Sequence, residues 1–240
     1  MDGKGKIEYK NGDIYEGQFE QGRKHGTGKM TYKNGDIYNG DFENNVFRGY
    51  GIIEYKQTGD NYEGDFKNGE FNGRGTYTMK NGFSYEGEFS DNLPNGYGEE
   101  TVSNGDIYVG IFENGMKQGQ GTYTKPNGYK YTGLFANDKQ NGKGTETSED
   151  GIVYKGEFLN GERHGKGLCI TGNSKARPCQ YINGVKVNPQ PFRFNNENDN
   201  NIQNMMNNNN NNNNNNIQNA PTSPPRLDDV QRNLFDNDDA

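Results

Sequence analysis

The stretch Tyr15-Glu16-Gly17-Gln18-Phe19, with Gly26 and Gly28 following it, decides the fold. Its kernel, Tyr-x-Gly-x-Phe, returns as Tyr38-Gly40-Phe42, Tyr62-Gly64-Phe66, Tyr85-Gly87-Phe89, Tyr108-Gly110-Phe112, Tyr131-Gly133-Phe135 and Tyr154-Gly156-Phe158. Successive copies lie 23 residues apart, with a single step of 24. Self-similarity at a short fixed period denotes a stacked array of small units, not one globule.

Each unit reads as two short strands. Tyr15, Gly17 and Phe19 alternate with Glu16, Gln18 and Glu20, which puts rings and glycine on one face and polar groups on the other. A polar turn, 21–25, leads to a second alternating run, Gly26, Gly28, Met30 and Tyr32. Asn34-Gly35 then reads as a two-residue hairpin turn with both residues at positive φ, repeated at Asn11-Gly12, Asn81-Gly82, Asn104-Gly105 and Asn127-Gly128. Asp150-Gly151 and Thr58-Gly59 are variants, and the latter carries the inserted residue behind the step of 24. Glycine weakens an ordinary strand. Its place beside the aromatics predicts that a ring lies over bare backbone, so that a larger residue at Gly17 or Gly40 is excluded. The fold expected is all-β, an elongated antiparallel β meander or solenoid of about seven to eight hairpin repeats. A half-repeat opens it at 3–12, and a degenerate cap, with Arg177, Cys179 and Tyr181 in the motif places, closes it near 177–184.

Composition agrees. Only 28% of the 240 residues are hydrophobic, against the roughly 45–50% of an ordinary domain, while 36 Gly, 16 Tyr and 13 Phe replace the usual aliphatics. Of the net charge of −7, the residues from Phe194 onward carry −5, from seven acidic and two basic groups. The nearly neutral array has no basic footprint, so no nucleic-acid partner is expected. Residues 1–10 lack an apolar signal core and no run reaches the ~18 apolar residues of a span, so an intracellular protein is expected. Cys169 and Cys179 are too few for a disulfide framework, and Cys169 reads as a small, partly buried residue.

The residues from Tyr15 to Gly28 resemble the MORN (membrane occupation and recognition nexus) repeat pattern, and the resemblance covers residues 1–184. It implies antiparallel β scaffolds with an aromatic groove, working at membranes, the cell cortex, cilia or division structures. Members bind partner proteins, take an amphipathic helix in the groove, bind anionic phospholipid or form homodimers. Carried onto this chain, the groove consists of the seven Tyr–Phe pairs quoted above. The function expected is a non-catalytic scaffold or adaptor at a membrane–cytoskeleton, cortical or ciliary structure. Two alternatives are a phospholipid-headgroup binder and a regulatory subunit of a separate enzyme.

No catalytic, metal or cofactor residues are expected. His25 and His164 share their place with Arg48, Asn72, Asn95, Gln118 and Asn141, which reads as a polar turn site. The outward carboxylates Glu16, Asp41, Glu63, Asp65, Glu86 and Glu88 read as a solvated column. That column breaks at Val109, Ile111 and Leu134, and Leu159, Leu168 and Ile170 extend an outer apolar patch. Two readings of the patch stand side by side: an interface, or a surface covered by the segment 172–192. Residues 185–194 are expected to cap and link the array. Residues 195–226, with ten consecutive asparagines at 207–216, are expected to be a disordered linker. Leu227, Val230, Leu234 and Phe235 suggest a short acidic amphipathic helix over 227–240, and Ser223 before Pro224 is a candidate phosphorylation site.

Overall fold

The computed structural model of the chain describes residues 2–187. The linker at 195–226, the segment 227–240 and Ser223 lie outside the described residues. Among those described, regular structure is strand only, in two units. The first, residues 2–118, holds β1 (Gly3–Glu8), β2 (Ile14–Glu20), β3 (Arg23–Thr31), β4 (Ile37–Glu43), β5 (Val46–Glu54), β6 (Asn61–Lys67), β7 (Glu70–Thr78), β8 (Ser84–Ser90), β9 (Leu93–Thr101), β10 (Ile107–Glu113) and the start of β11 (Met116–Thr124). The second, 119–187, holds the rest of β11, β12 (Lys130–Ala136), β13 (Lys139–Thr147), β14 (Val153–Leu159), β15 (Glu162–Ile170), β16 (Arg177–Ile182) and β17 (Val185–Val187). From β1 to β10, and again from β11 to β17, each strand pairs antiparallel with the next. The all-β antiparallel meander expected from the repeat is therefore observed in both units.

Register places the glycines opposite one another. In the first unit one row runs Gly5, Gly17, Gly28, Gly40, Gly51, Gly64, Gly75, Gly87, Gly98, Gly110 across the strands. The second unit repeats it as Gly121, Gly133, Gly144, Gly156 and Gly167. Tyr15 lies flat along this stripe. A Cβ on Gly28 would stand 2.4 Å from its hydroxyl and 2.5 Å from Cε2. On Gly17 it would meet the same hydroxyl at 2.4 Å and the Gly28 Cα at 2.5 Å. The ring thus comes from the same strand as Gly17 and from the neighbouring strand of Gly28. Its hydroxyl donates to the Gln18 carbonyl at 2.8 Å, which satisfies a phenol with no exposed surface.

Phenylalanine closes each ring in. Phe19 and Phe42 meet Tyr15 edge-on at 5.1 and 5.0 Å, so this tyrosine is held by its own copy and by the following one. The same geometry joins Phe66 to Tyr38, Phe89 to Tyr62 and Phe158 to Tyr131. Repeat stability is therefore a nearest-neighbour quantity.

Two turn assignments change. The Asn-Gly pairs are not two-residue turns: only the glycine has positive φ, +94° at Gly35. The Gly35 N–H donates to the Tyr32 carbonyl at 2.9 Å, and the Tyr32 N–H to the Asp36 carbonyl at 2.9 Å, which makes a type I turn with a bulge. Asn34 is preferred because its Oδ1 accepts the Asp36 N–H at 3.0 Å. The true two-residue turns lie inside each repeat, where both residues have positive φ, as at Asn44 (50°) and Asn45 (75°). The polar segment 21–25 is accordingly a turn only at Gln21-Gly22, and His25 sits within β3.

The cap differs from expectation in its cysteines, which form a disulfide between Cys169 and Cys179 with Cα atoms 5.9 Å apart. Gly167 faces Cys179 and Cys169 faces Arg177. Arg177 replaces the motif tyrosine, so no ring from this copy needs the bare backbone, and the glycine place accepts a side chain. Tyr181 stands in the phenylalanine place and meets Tyr154 at 5.0 Å.

Two outcomes follow from this packing. Gly28→Ala forces a methyl into the Tyr15 ring and should destabilise the chain by about 1–3 kcal/mol in chemical denaturation; an unchanged midpoint would contradict the ring-on-glycine contact. Reduction of Cys169–Cys179 should remove about 2–4 kcal/mol and release β16 and β17 first. Hydrogen exchange checks this: unaltered protection of Tyr181 and Ile182 after reduction would show that the disulfide does not hold the cap.

Candidate interaction surfaces

The seven Tyr–Phe pairs expected to line a groove are the interior of the inner face. All seven tyrosines are fully buried, and none of the seven phenylalanines is more than 5% exposed. What varies above them is the side chain two residues into each second strand. In the first unit this place holds Lys24, Phe47, Phe71, Pro94 and Lys117. Phe47 and Phe71 stack on Tyr38 and Tyr62 with centroids 3.7 Å apart in both cases. Lys24 Nζ stands 5.6 Å above the Tyr9 ring and 5.9 Å above Tyr15 and Phe42. Lys117 pairs with Glu100 and stands 5.2 Å above Tyr108.

In the second unit the same place holds Gln140 and Arg163. Gln140 donates to the Tyr129 hydroxyl at 2.9 Å. Arg163 Nε donates to Glu146 at 3.2 Å and Nη1 to the Tyr181 hydroxyl at 3.0 Å, with the guanidinium over Tyr154 and Tyr181. Sequence reasoning missed this column because each residue looks ordinary alone. Aligning 24, 47, 71, 94, 117, 140 and 163 reveals it as the variable place over an invariant floor.

On the outer face the acidic column has a backbone task. The nine-residue strands β3, β5, β7, β9, β13 and β15 bulge against the seven-residue strand before them, with a glycine of positive φ at the bulge, such as Gly73 (76°). The outward side chain opposite accepts the next N–H: Gln18 from Thr27 at 3.1 Å, Asp65 from Arg74 at 3.1 Å, Glu88 from Tyr97 at 3.3 Å. Ile111 and Leu134 occupy this place without an acceptor group.

The outer apolar residues divide between the units. In the first, Ile111 is 40% exposed and lies across from exposed Tyr97; half-buried Val109 faces Glu99, and Ile107 faces Thr101. In the second, Leu134 is half-buried, Ile170 is half-buried opposite Val153, and Leu159 is exposed. Leu168 is buried opposite Pro178, so at this residue the chain covers its own apolar surface. His25 and His164 occupy corresponding places in β3 and β15. His25 Nδ1 is 3.4 Å from Glu20, and His164 Nδ1 accepts the Asn183 N–H at 3.4 Å. Among the described residues, no group of three or more His, Cys, Asp or Glu is arranged to hold a metal ion.

Comparison with known proteins adds a family. The model described as MORN repeat matches residues 1–14, 15–37, 38–57, 62–83, 85–107, 108–128, 131–153 and 154–174. No curated protein matches the chain. Among solved structures it is similar to the SAS-4 (dCPAP) TCP domain of Drosophila melanogaster in complex with a proline-rich motif of Ana2, at 17% identity and a TM-score of 0.42, covering 66% of this chain and 86% of that one. It is also similar to the TCP10 domain of Danio rerio CPAP in complex with a STIL peptide, at 15% identity and a TM-score of 0.34, covering 78% and 93%.

The buried phenols make the fold sensitive to alkali. Burial pushes Tyr15 and Tyr154 up to about 12, and Tyr38, Tyr62, Tyr85 and Tyr131 are also raised, again chiefly by burial. A folded pKa above the unfolded value of about 10 means that this contribution is whole below that pH and is lost as pH climbs through the folded pKa. Tyrosinate absorbance and circular dichroism should therefore change together between about pH 10 and 12. Ionisation of these phenols near pH 10 with the strands intact would show that their burial is not coupled to folding.

Proposed function

This chain belongs to the MORN repeat family, and from that premise we propose that it is a non-catalytic scaffold that holds protein partners on its β faces. The observation that carries this reading is the division of labour within each repeat. Tyrosine, glycine and phenylalanine fix one backbone geometry, while a single inner place changes from Lys24 to Phe47, Phe71, Pro94 and Lys117. Lys24, Phe47, Phe71 and Pro94 are themselves buried, so a partner meets the shape that each gives to the inner face, on a frame that repeats at every step.

The finer reading places the protein inside the cell, at a membrane–cytoskeleton, cortical or ciliary structure. The inner face, built on the Tyr–Phe pairs, is its groove for an amphipathic helix, and a homodimer is a further mode. Anionic phospholipid binding is the second reading, and a net charge of only −2 over residues 1–193 weighs against it, since such surfaces attract clustered Lys and Arg. A regulatory subunit of an enzyme is the third.

Proximity labelling in the native cell, paired with liposome flotation of the purified chain, tests these readings. The scaffold reading expects a reproducible set of labelled proteins, reduced by Lys117→Ala, and no flotation with anionic vesicles beyond that with neutral ones. Strong flotation dependent on anionic lipid, with labelling unaffected by the variant, would move the assignment to lipid binding.

A further inference from the structure

The outer face of the first unit carries two kinds of surface side by side. Register defines three parallel rows across β6 to β10. The first is Asp65, Arg74, Glu88, Tyr97, Ile111; the second Glu63, Thr76, Glu86, Glu99, Val109; the third Asn61, Thr78, Ser84, Thr101, Ile107. The β6–β9 side therefore holds five carboxylates and one cation, Arg74. The β9–β10 side holds Tyr97 at 45%, Ile107 at 36% and Ile111 at 40% exposure, with Val109 half-buried among them.

We propose that this surface binds a partner polypeptide segment that sets apolar side chains on Tyr97, Val109 and Ile111 and lysine or arginine on Glu86, Glu88 and Glu99. It rests on the scaffold reading but uses the face opposite the aromatic floor. Loss of either surface can therefore be measured without loss of the other.

Charge selects this occupant. The chain's own residues from Phe194 onward are acidic, seven groups against two, and are repelled by the carboxylates. Anionic lipid and nucleic acid are repelled for the same reason. A second copy docked face to face sets like charges together. Glu99 shows the unrelieved side of this surface: burial beside Val109, and then the neighbouring Glu86, raise its carboxyl pKa. A cation from a partner offsets the repulsion between these two carboxylates. Strands lie about 4.8 Å apart, so the four steps from β6 to β10 span roughly 19 Å, the reach of about six extended residues. The acceptor column also explains the location. Where Ile111 replaces the carboxylate, the outer face gives up a backbone hydrogen-bond acceptor and gains apolar surface, and the exposed ring of Tyr97 lies directly opposite.

Fluorescence anisotropy of the full chain with a labelled peptide of about nine residues, lysines in one half and leucines in the other, tests the proposal. The same peptide with Ser in place of Leu (Ser–Lys) or Glu in place of Lys (Leu–Glu) is the control. The Leu–Lys peptide should bind at least about ten-fold tighter than either control. Ile111→Asp should weaken it by about ten-fold or more, and Glu86→Gln with Glu99→Gln should weaken it several-fold and flatten its salt dependence. Thr27→Asp, on the same face but distant in register, should leave it unchanged. Tyr97→Ser replaces Ile111→Asp if the latter lowers the melting temperature. Equal binding of the Ser–Lys peptide, undiminished binding by the folded variants, or no binding of any peptide would overturn the proposal. So would a dimer in sedimentation that Ile111→Asp dissolves, which would give the patch to a second copy. Loss of Leu–Lys binding with labelling of inner-face partners intact would count against this surface alone.

Discussion

A phenol ring lying flat on a stripe of glycines is the contact on which the rest of the architecture depends. Cross-strand glycines bring two backbones together with nothing between them and the ring, and a single methyl at Gly28 would stand 2.4 Å from the Tyr15 hydroxyl. The usual entropic penalty of glycine in a strand is offset by burying a whole aromatic side chain and by the hydroxyl's bond to a carbonyl three residues on. Edge-on phenylalanines then tie copy to copy. A chain with 28% hydrophobic residues can form an ordered interior because the interior is one ring deep.

That economy leaves both faces of the sheet thin, and it divides duties between them. The inner face is closed by the variable column, where stacked phenylalanine in some copies gives way to an ion pair over a ring in others. Lys117 with Glu100 and Arg163 with Glu146 are mostly buried pairs, held by charge-assisted hydrogen bonds and the π faces beneath. The outer face repairs the bulge. Gln18, Asp65 and Glu88 do not simply coat the sheet for solubility; they take up the N–H that the bulge turns outward.

Much of the fold was legible in the sequence because its signals are local and repeated. The strand pairs follow from Tyr15, Gly17 and Phe19 alternating with polar residues, and the place of the ring from the company the glycines keep. Turn chemistry was less legible. Asn34-Gly35 looks like a two-residue hairpin, yet Asn34 serves through its side chain and only Gly35 enters the left-handed region, while unremarkable pairs such as Asn44-Asn45 make the true tight turn. The inner column at 24, 47 and 71 was invisible residue by residue, because Lys, Phe and Phe share a position and not a chemistry. The pairing of Cys169 with Cys179 is hidden in the sequence because the second occupies a glycine place, which only the absent ring at Arg177 opens to a side chain.

The third copy's extra residue has a wider meaning. In that turn the Tyr55 N–H reaches the Asp60 carbonyl, one position further than Tyr32 reaches to Asp36, and yet Gly51 still faces Gly64. Length is absorbed at the connection, leaving the lattice of contacts untouched. Such a chain accommodates a spare residue wherever two hairpins join, because the paired glycines on either side keep their places.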